Sequence, residues 1–245
     1  MSDLTVIIPS RNAANLVACV EAIGEHEPSV QVVVIDDGVD WNEAGSVADS
    51  CEVFLGKKPF VFARNVNLGI AHVAAMRFPV QYTDVVLLND DAILESPGGF
   101  TKMQESAREH PDVAIVSSVT NIANNLQQVR KGDVVEMRQV GNERWPLRIS
   151  RRSPGLSFPA VAFVCVLIPA RTLQTIGLLD ERFTAYGWED VDFCRRIHDA
   201  GQLIGIHDGC FVDHSKLTST FRGDPKAAGK IEEGREIFVR KWGNL

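Results

Sequence analysis

The chain has 245 residues, of which 45% are hydrophobic, and its 32 acidic against 25 basic side chains give a formal net charge of −7. That length and apolar content suffice for one α/β domain with a sizeable core. The acidic balance excludes a general affinity of the whole surface for nucleic acid or anionic membrane, so any polyanion contact needs a local basic patch.

In chain order, Leu4-Thr5-Val6-Ile7-Ile8 predicts a strand, and Leu16, Val20 and Ile23 recur at helical spacing before Gly24. A second strand is predicted over 31–35, followed by Asp36-Asp37-Gly38, which reads either as a plain turn or as a pair of acids delivered to a ligand. Ile70, Val73 and Ala74 predict a helix after Gly69, and Asp84-Val85-Val86-Leu87-Leu88 predicts a buried strand that presents Asn89, Asp90 and Asp91 at its carboxyl end. Ligands of open α/β sheets bind at that end. Phe100, Met103 and Ala107 mark the next helix. This alternation predicts a mainly parallel sheet with helices on both faces.

Between residues 126 and 155 the periodicity weakens, and Arg130, Lys131, Arg138, Arg144, Arg148, Arg151 and Arg152 outnumber the acids. The segment reads as a solvated loop, or as an acceptor-recognition insert in which Trp145 stacks and the arginines meet phosphate. Farther on, Gly187-Trp188-Glu189-Asp190-Val191-Asp192 opens a helix whose apolar face holds Phe193, Ile197 and Ala200, with Gly201 as its stop. A strand-like Cys210-Phe211-Val212-Asp213 leads to His214, and residues 215–223 read as an ordinary connection or a lid. Asp224-Pro225 starts a last helix, with Ile231, Phe238 and Trp242 on one face.

The five cysteines lack C-x-x-C spacing and read as buried thiols in a reducing compartment. No basic segment followed by an apolar core opens the chain, and the longest apolar stretch, 160–168, is too short for a bilayer, so a cytoplasmic protein without a membrane span is expected. There is no G-x-G-x-x-G at a helix start and no G-x-x-x-x-G-K-[ST], which argues against a dinucleotide-binding oxidoreductase and a P-loop NTPase.

Taken singly, Asn89-Asp90-Asp91 is a turn after a strand, and the acids at 189, 190 and 192 complement a helix dipole. Taken together with Leu4 to Asn12, Val32 to Gly38, Ala63 to Ala71, Ile176 to Phe183 (one block with the acids that follow it) and Asp213-His214, they form six ordered blocks between about residues 4 and 216. In these blocks the chain resembles the family 2 glycosyltransferases of the GT-A fold. Asn89-Asp90-Asp91 stands in the place of the D-x-D motif, although its first position carries an uncharged amide.

The resemblance implies one α/β domain of GT-A type over 1–245: a nucleotide-binding half (1–125), an acceptor-binding and catalytic half (126–223) and a C-terminal helix (224–245). It implies a nucleotide-diphosphate sugar donor, UDP-linked by family habit, met by the backbone at Pro9 and by Arg11, Asp36, Arg64, Asn89 and Asp90. It implies Mn²⁺ or Mg²⁺ on Asp91 and His214, Trp188 beneath the sugar or acceptor, and Asp190 as general base with Glu189 as the alternative. The acceptor hydroxyl belongs to a glycan, a protein, a small molecule or a modified base. Two rivals are a catalytically silent sugar-nucleotide or glycan-binding module, kept open by Asn89, and a nucleotidyltransferase, for which the glycine-rich N-terminal loop is missing.

Overall fold

The structure, a computed structural model, describes residues 4–123, 125–129, 147–184, 187–217, 219 and 224–243. The first half alternates β1 (Leu4–Ser10), α1 (Ala13–His26), β2 (Gln31–Asp36), a 3₁₀ turn (Gly45–Ser50), β3 (Glu52–Leu55), α2 (Phe62–Ala75) and β4 (Asp84–Leu88). Then come β5 (Ile93–Leu94), α3 (Gly99–Glu109), β6 (Val113–Thr120), β7 (Leu147–Ile149), β8 (Cys165–Ile168), α4 (Ala170–Thr175), α5 (Glu189–Asp199), β9 (Leu203–Asp213) and α6 (Ala227–Trp242).

All the strands join one sheet in the order β3-β2-β1-β4-β8-β6-β9, with β5 and β7 both pairing with β9. The first four strands are parallel, as the continuous apolar runs of β1, β2 and β4 predict; β3, an exposed strand at the sheet edge, carries no such run. The second half makes the sheet mixed, because β8 lies antiparallel to both β4 and β6 while β9 runs parallel to β6. The reversal matters for the site: pairing Leu88 with Cys165 sets the chain that enters β8 beside the carboxyl end of β4.

Side chains alternate across the sheet with period two. Val6, Ile8, Val32 and Val34 pack under α1 and α3 with Leu16, Ile23, Phe100 and Met103. Ile7, Val33 and Ile35 pack on the opposite face with Ile70 and Val73 of α2, Phe193 and Ile197 of α5, and Phe238 of α6. Each such fully buried side chain contributes about 1.5–3 kcal/mol relative to exposure, so the layering is set by these faces.

Two local readings change and one strand goes unread. Helix α2 begins at Phe62 rather than after Gly69, and Gly69 lies inside it as the residue that lets the helix sit close on β1, where a Cβ would stand 2.6 Å from Ile7 Cγ2. Strand β6, buried at all eight positions, gives no alternation to read because both of its faces are covered. In α6, Phe238 is buried and Trp242 packs against the core as the periodicity suggests, but Ile231, nearer the helix start, is 43% exposed, and Gly234 is the other buried position.

Most of the basic segment, including Arg130, Lys131, Arg138, Arg144 and Trp145, lies outside the described residues, as do Thr218 and residues 220–223 of the later loop. Arg148 pairs through Nε with Asp208 at 2.7 and 2.8 Å, and Arg152 Nε donates to the Leu156 carbonyl at 2.7 Å, so two of the arginines are engaged internally. The five cysteines are free thiols, four of them buried. Among the described residues no helix is long and apolar enough to cross a membrane.

Candidate active site

The carboxyl ends of β1 and β4 are tied together by a carboxylate. Ser10 Oγ donates to Asp90 Oδ2 at 2.7 Å, and the amides of Arg11 and Asn12 also point at that group. Burial raises the Asp90 carboxyl above its ordinary value; the bond from Ser10 opposes this, the charge of Asp91 adds to it, and the net direction is upward. Asp90 therefore faces the β1–α1 loop. Asn12 caps α1 by accepting the Asn15 amide at 3.1 Å, Pro9 is half-buried and Arg11 is exposed.

Asp36 is similarly occupied. Its Oδ1 accepts the Gly38 and Val39 amides at 2.7 and 2.8 Å, and its Oδ2 accepts the Trp41 indole N–H at 2.8 Å. Burial pulls this carboxyl upward, but the Trp41, Val39 and Gly38 donors prevail and hold it below its ordinary value. The neighbouring Asp37 pairs with Lys58 Nζ at 2.6 Å. Arg64, in the first turn of α2, bends onto the Pro59 carbonyl.

After β4, the Asn89 amide donates to the Val164 carbonyl at 2.9 Å and its own carbonyl accepts from Ala92 at 3.1 Å, a tight turn that carries Asp91 inward. Asp91 is buried, and its Oδ1 lies 3.0 Å from His214 Nε2 at the end of β9. That is a direct hydrogen-bonding contact, and its length matches the roughly 3.0 Å between adjacent ligands each about 2.1 Å from an octahedral ion. The chemistry of the pair, one carboxylate oxygen and one imidazole nitrogen, suits Mn²⁺ or Mg²⁺ completed by oxygen ligands from a diphosphate and water. Among the described residues there is no group of three or more metal-ligating side chains.

His214 is held by a residue that sequence patterning missed. Asn121, just past β6, accepts the His214 amide on Oδ1 at 3.0 Å and donates through Nδ2 to Asp213 Oδ1 at 2.8 Å and Ser215 Oγ at 3.0 Å. Reading β6 as a strand was the one signal that would have placed Asn121 at a strand end. Ser10 was missed for a different reason, since its role depends on a partner 80 residues away.

The second acidic cluster starts at a strained turn. Trp188 has φ 75°, the left-handed region that a bulky residue rarely occupies, after Gly187 at φ 86°. Its ring lies 5.2 Å from that of Phe238, so the indole rests on α6. Glu189 is buried with one carboxylate oxygen unpartnered; burial, then the adjacent Asp190 charge, pushes its carboxyl well above the usual range. Asp190 is partly exposed, and its Oδ1 accepts the Val191 amide at 2.8 Å. Burial raises its carboxyl, while amide donors including Val191 and Phe163 hold it down, with a net upward direction. Asp192, fully buried, takes the Trp242 indole N–H at 2.8 Å, Lys241 Nζ at 2.6 Å and Arg196 Nε at 3.1 Å. It locks α5 to α6.

The two clusters meet through consecutive residues before β8. The Phe163 amide points at the Asp190 carboxylate while the Val164 carbonyl accepts the Asn89 amide. Asn89, Asp90, Asp91, His214, Glu189 and Asp190 thus share one end of the sheet. Asp36 and Arg64 sit at the same strand ends with their polar atoms turned to neighbouring loops, and Trp188 is packed against the C-terminal helix.

Residues 5–174 match the family model described as glycosyl transferase family 2. That stretch holds β1 to β8 with Asn89, Asp90 and Asp91, whereas Asp190 and His214 follow it. No curated protein matches the sequence. Among solved structures, the crystal structure of GalNAc-T7 with UDP, GalNAc and Mn²⁺ is similar to 96% of this chain with a TM-score of 0.65, at 11% identity. The chain covers 47% of that structure, about half its length. The likeness shows a shared GT-A fold.

Proposed function

The chain belongs to glycosyl transferase family 2, and we propose that it transfers a sugar from a nucleotide-diphosphate donor, UDP-linked in the favoured case, to an acceptor hydroxyl with inversion at the anomeric carbon. The observation that carries the proposal is the junction at Phe163-Val164, which sets the Asp190 carboxylate and the Asn89-Asp90-Asp91 turn on adjacent residues of one segment. The similar solved structure that binds UDP and Mn²⁺ supports the donor class.

The donor lies across the carboxyl ends of β1, β2 and β4, where backbone around Pro9 and the side chains of Arg11, Asn89 and Arg64 meet it. Asp36 and Asp90 shape the receiving loops through the hydrogen bonds they already make. Asp91 and His214 would hold a divalent cation, Mn²⁺ or Mg²⁺, which when bound would stabilise the charge of the departing diphosphate.

Trp188 forms an apolar wall for the sugar or acceptor. The acceptor oxygen attacks the anomeric carbon from the face opposite the diphosphate, the bond from that carbon to the diphosphate oxygen breaks with its electron pair leaving on oxygen, and the hydroxyl proton passes to Asp190. The raised carboxyl of Asp190 makes it a stronger base than an ordinary aspartate, provided it is ionised. Glu189 is buried whereas Asp190 is partly exposed, so Asp190 is the carboxylate an acceptor can reach, and it takes the proton.

The test is nucleotide release from a panel of UDP-, GDP-, dTDP- and CMP-sugars with Mn²⁺ or EDTA. Metal-dependent release from one donor supports transfer and names the sugar. A second reading, a sugar-nucleotide or glycan-binding module without turnover, is favoured by the uncharged Asn89; it predicts nucleotide binding with no release in any combination of donor and candidate acceptor.

A further inference from the structure

We infer that Gly234, on the C-terminal helix, is a positioning residue for the catalytic turn: by carrying no side chain it lets α6 bear directly on the Gly187-Trp188 backbone and hold the left-handed turn that presents Glu189 and Asp190. The inference rests on Asp190 acting as the base.

The geometry is specific to this position. A Cβ built on Gly234 would lie 2.6 Å from the Gly187 carbonyl oxygen and 3.1 Å from Trp188 Cδ1. The first contact is with backbone, so it cannot be relieved by a rotamer change. One turn farther along α6, the Phe238 ring lies 5.2 Å from the Trp188 ring and is fully buried. At the end of the helix, Trp242 and Lys241 reach across to Asp192, two residues past the base. Three successive turns of α6 therefore grip the start of α5.

Trp188 needs that grip. It is the non-glycine residue of positive φ among the described residues, and such a conformation costs about 1–3 kcal/mol unless the surroundings enforce it. Immediately after it, the helix starts with no side-chain cap of its own. Relaxing Trp188 to the ordinary extended region would swing Glu189 and Asp190 away from the Phe163 amide, and with it from the β4 turn. Glycine in a helix interior is itself unfavourable by roughly 1 kcal/mol relative to alanine, so the close approach has to offset that cost.

A second glycine on the same helix supplies the control. Gly229 meets nothing within 4 Å of its Cβ direction, so alanine there gains helix propensity alone. The experiment compares Gly234→Ala with Gly229→Ala by thermal unfolding, by ¹⁹F NMR of 5-fluorotryptophan-labelled protein, and by nucleotide release from the sugar-nucleotide panel with Mn²⁺.

Gly229→Ala is expected to raise the melting temperature and to leave the Trp188 resonance, kcat and donor KM unchanged. Gly234→Ala is expected to shift the Trp188 resonance and to lower kcat by about 10–100-fold, as a misplacement on the order of 1 Å does, with donor KM within about twofold of the parent. A Gly234→Ala protein that is stabilised like Gly229→Ala, with an unmoved Trp188 resonance, would overturn the inference.

Asp190→Asn separates this from the catalytic reading. Should that variant turn over like the parent, the base assignment falls while the Trp188 resonance still decides whether Gly234 sets the turn. Should it be inactive while Gly234→Ala is fully active, the positioning role alone falls. If Gly234→Ala does not fold, Phe238→Leu reads the same grip from its neighbouring contact: loss of kcat with donor KM retained supports it, and parental kcat overturns it.

Discussion

Replacing Asp190 by asparagine should separate catalysis from stability in opposite directions. The side chain keeps its size and one accepting oxygen, so of the amide donors that now face the carboxylate, among them Val191 at 2.8 Å and Phe163, the variant loses on the order of one hydrogen bond, about 1 kcal/mol. Against that loss stands the removal of a charge that burial disfavours. A carboxyl raised on folding contributes stability that is fully present below its unfolded value and is lost as pH rises through the folded value. For Asp190 the folded value lies above 3.8, so the parent gives up this contribution as pH climbs above that point, and the amide does not.

The two effects leave Asp190→Asn within about 1 kcal/mol of the parent near neutral pH, and gaining on it as pH rises. Turnover should fall by about 10²–10⁴-fold, because an amide cannot take the acceptor proton. The assay is nucleotide release with Mn²⁺ beside thermal unfolding at pH 5 and pH 8. In the parent, the acid limb of kcat should lie above the ordinary aspartate range. Turnover within fivefold of the parent, or a melting point at pH 8 lowered by more than about 5 °C, would refute the reasoning, the latter by making Asp190 structural.

Asp192→Ala should behave the opposite way: it leaves the Trp242 indole and Arg196 Nε without their buried acceptor and Lys241 with Asp180 alone, and breaking a buried ion pair costs about 3–5 kcal/mol, read as a large fall in denaturation midpoint. A midpoint within experimental error of the parent would remove Asp192 from the lock between α5 and α6. Asp91→Ala should abolish the Mn²⁺ dependence of donor binding measured by calorimetry with UDP as the probe, and persistence of that dependence would move the metal elsewhere. His214→Ala should raise the Mn²⁺ concentration needed for half-maximal UDP binding by at least about tenfold, as loss of even an outer-sphere partner costs 10–100-fold; an unchanged titration would exclude His214.

The sequence carried the parallel N-terminal half of the sheet by itself. Runs at 4–8, 31–35 and 84–88 became β1, β2 and β4 because strands covered on both faces need unbroken apolar side chains, and that signal is local. The start of α5 at Glu189 was legible for the same kind of reason, since acids in a first turn and an apolar stripe are written within a dozen residues. The candidates Asp91, Asp190 and His214 could be named from residue type and motif order.

What the tertiary structure decided is direction and allegiance. Antiparallel β8 brings Phe163-Val164 between the two acidic clusters, and nothing in its short apolar run states which way it will lie. Asp36 and Asp90 read as ligand-binding acids in sequence, and the fold adds which donors their oxygens already meet, Trp41, Ser10 and loop amides, because a buried carboxylate takes whatever donors surround it. Gly234 and Asn121 had no pattern to announce them: each acts through a single partner segment far away in sequence, and only packing reveals which one.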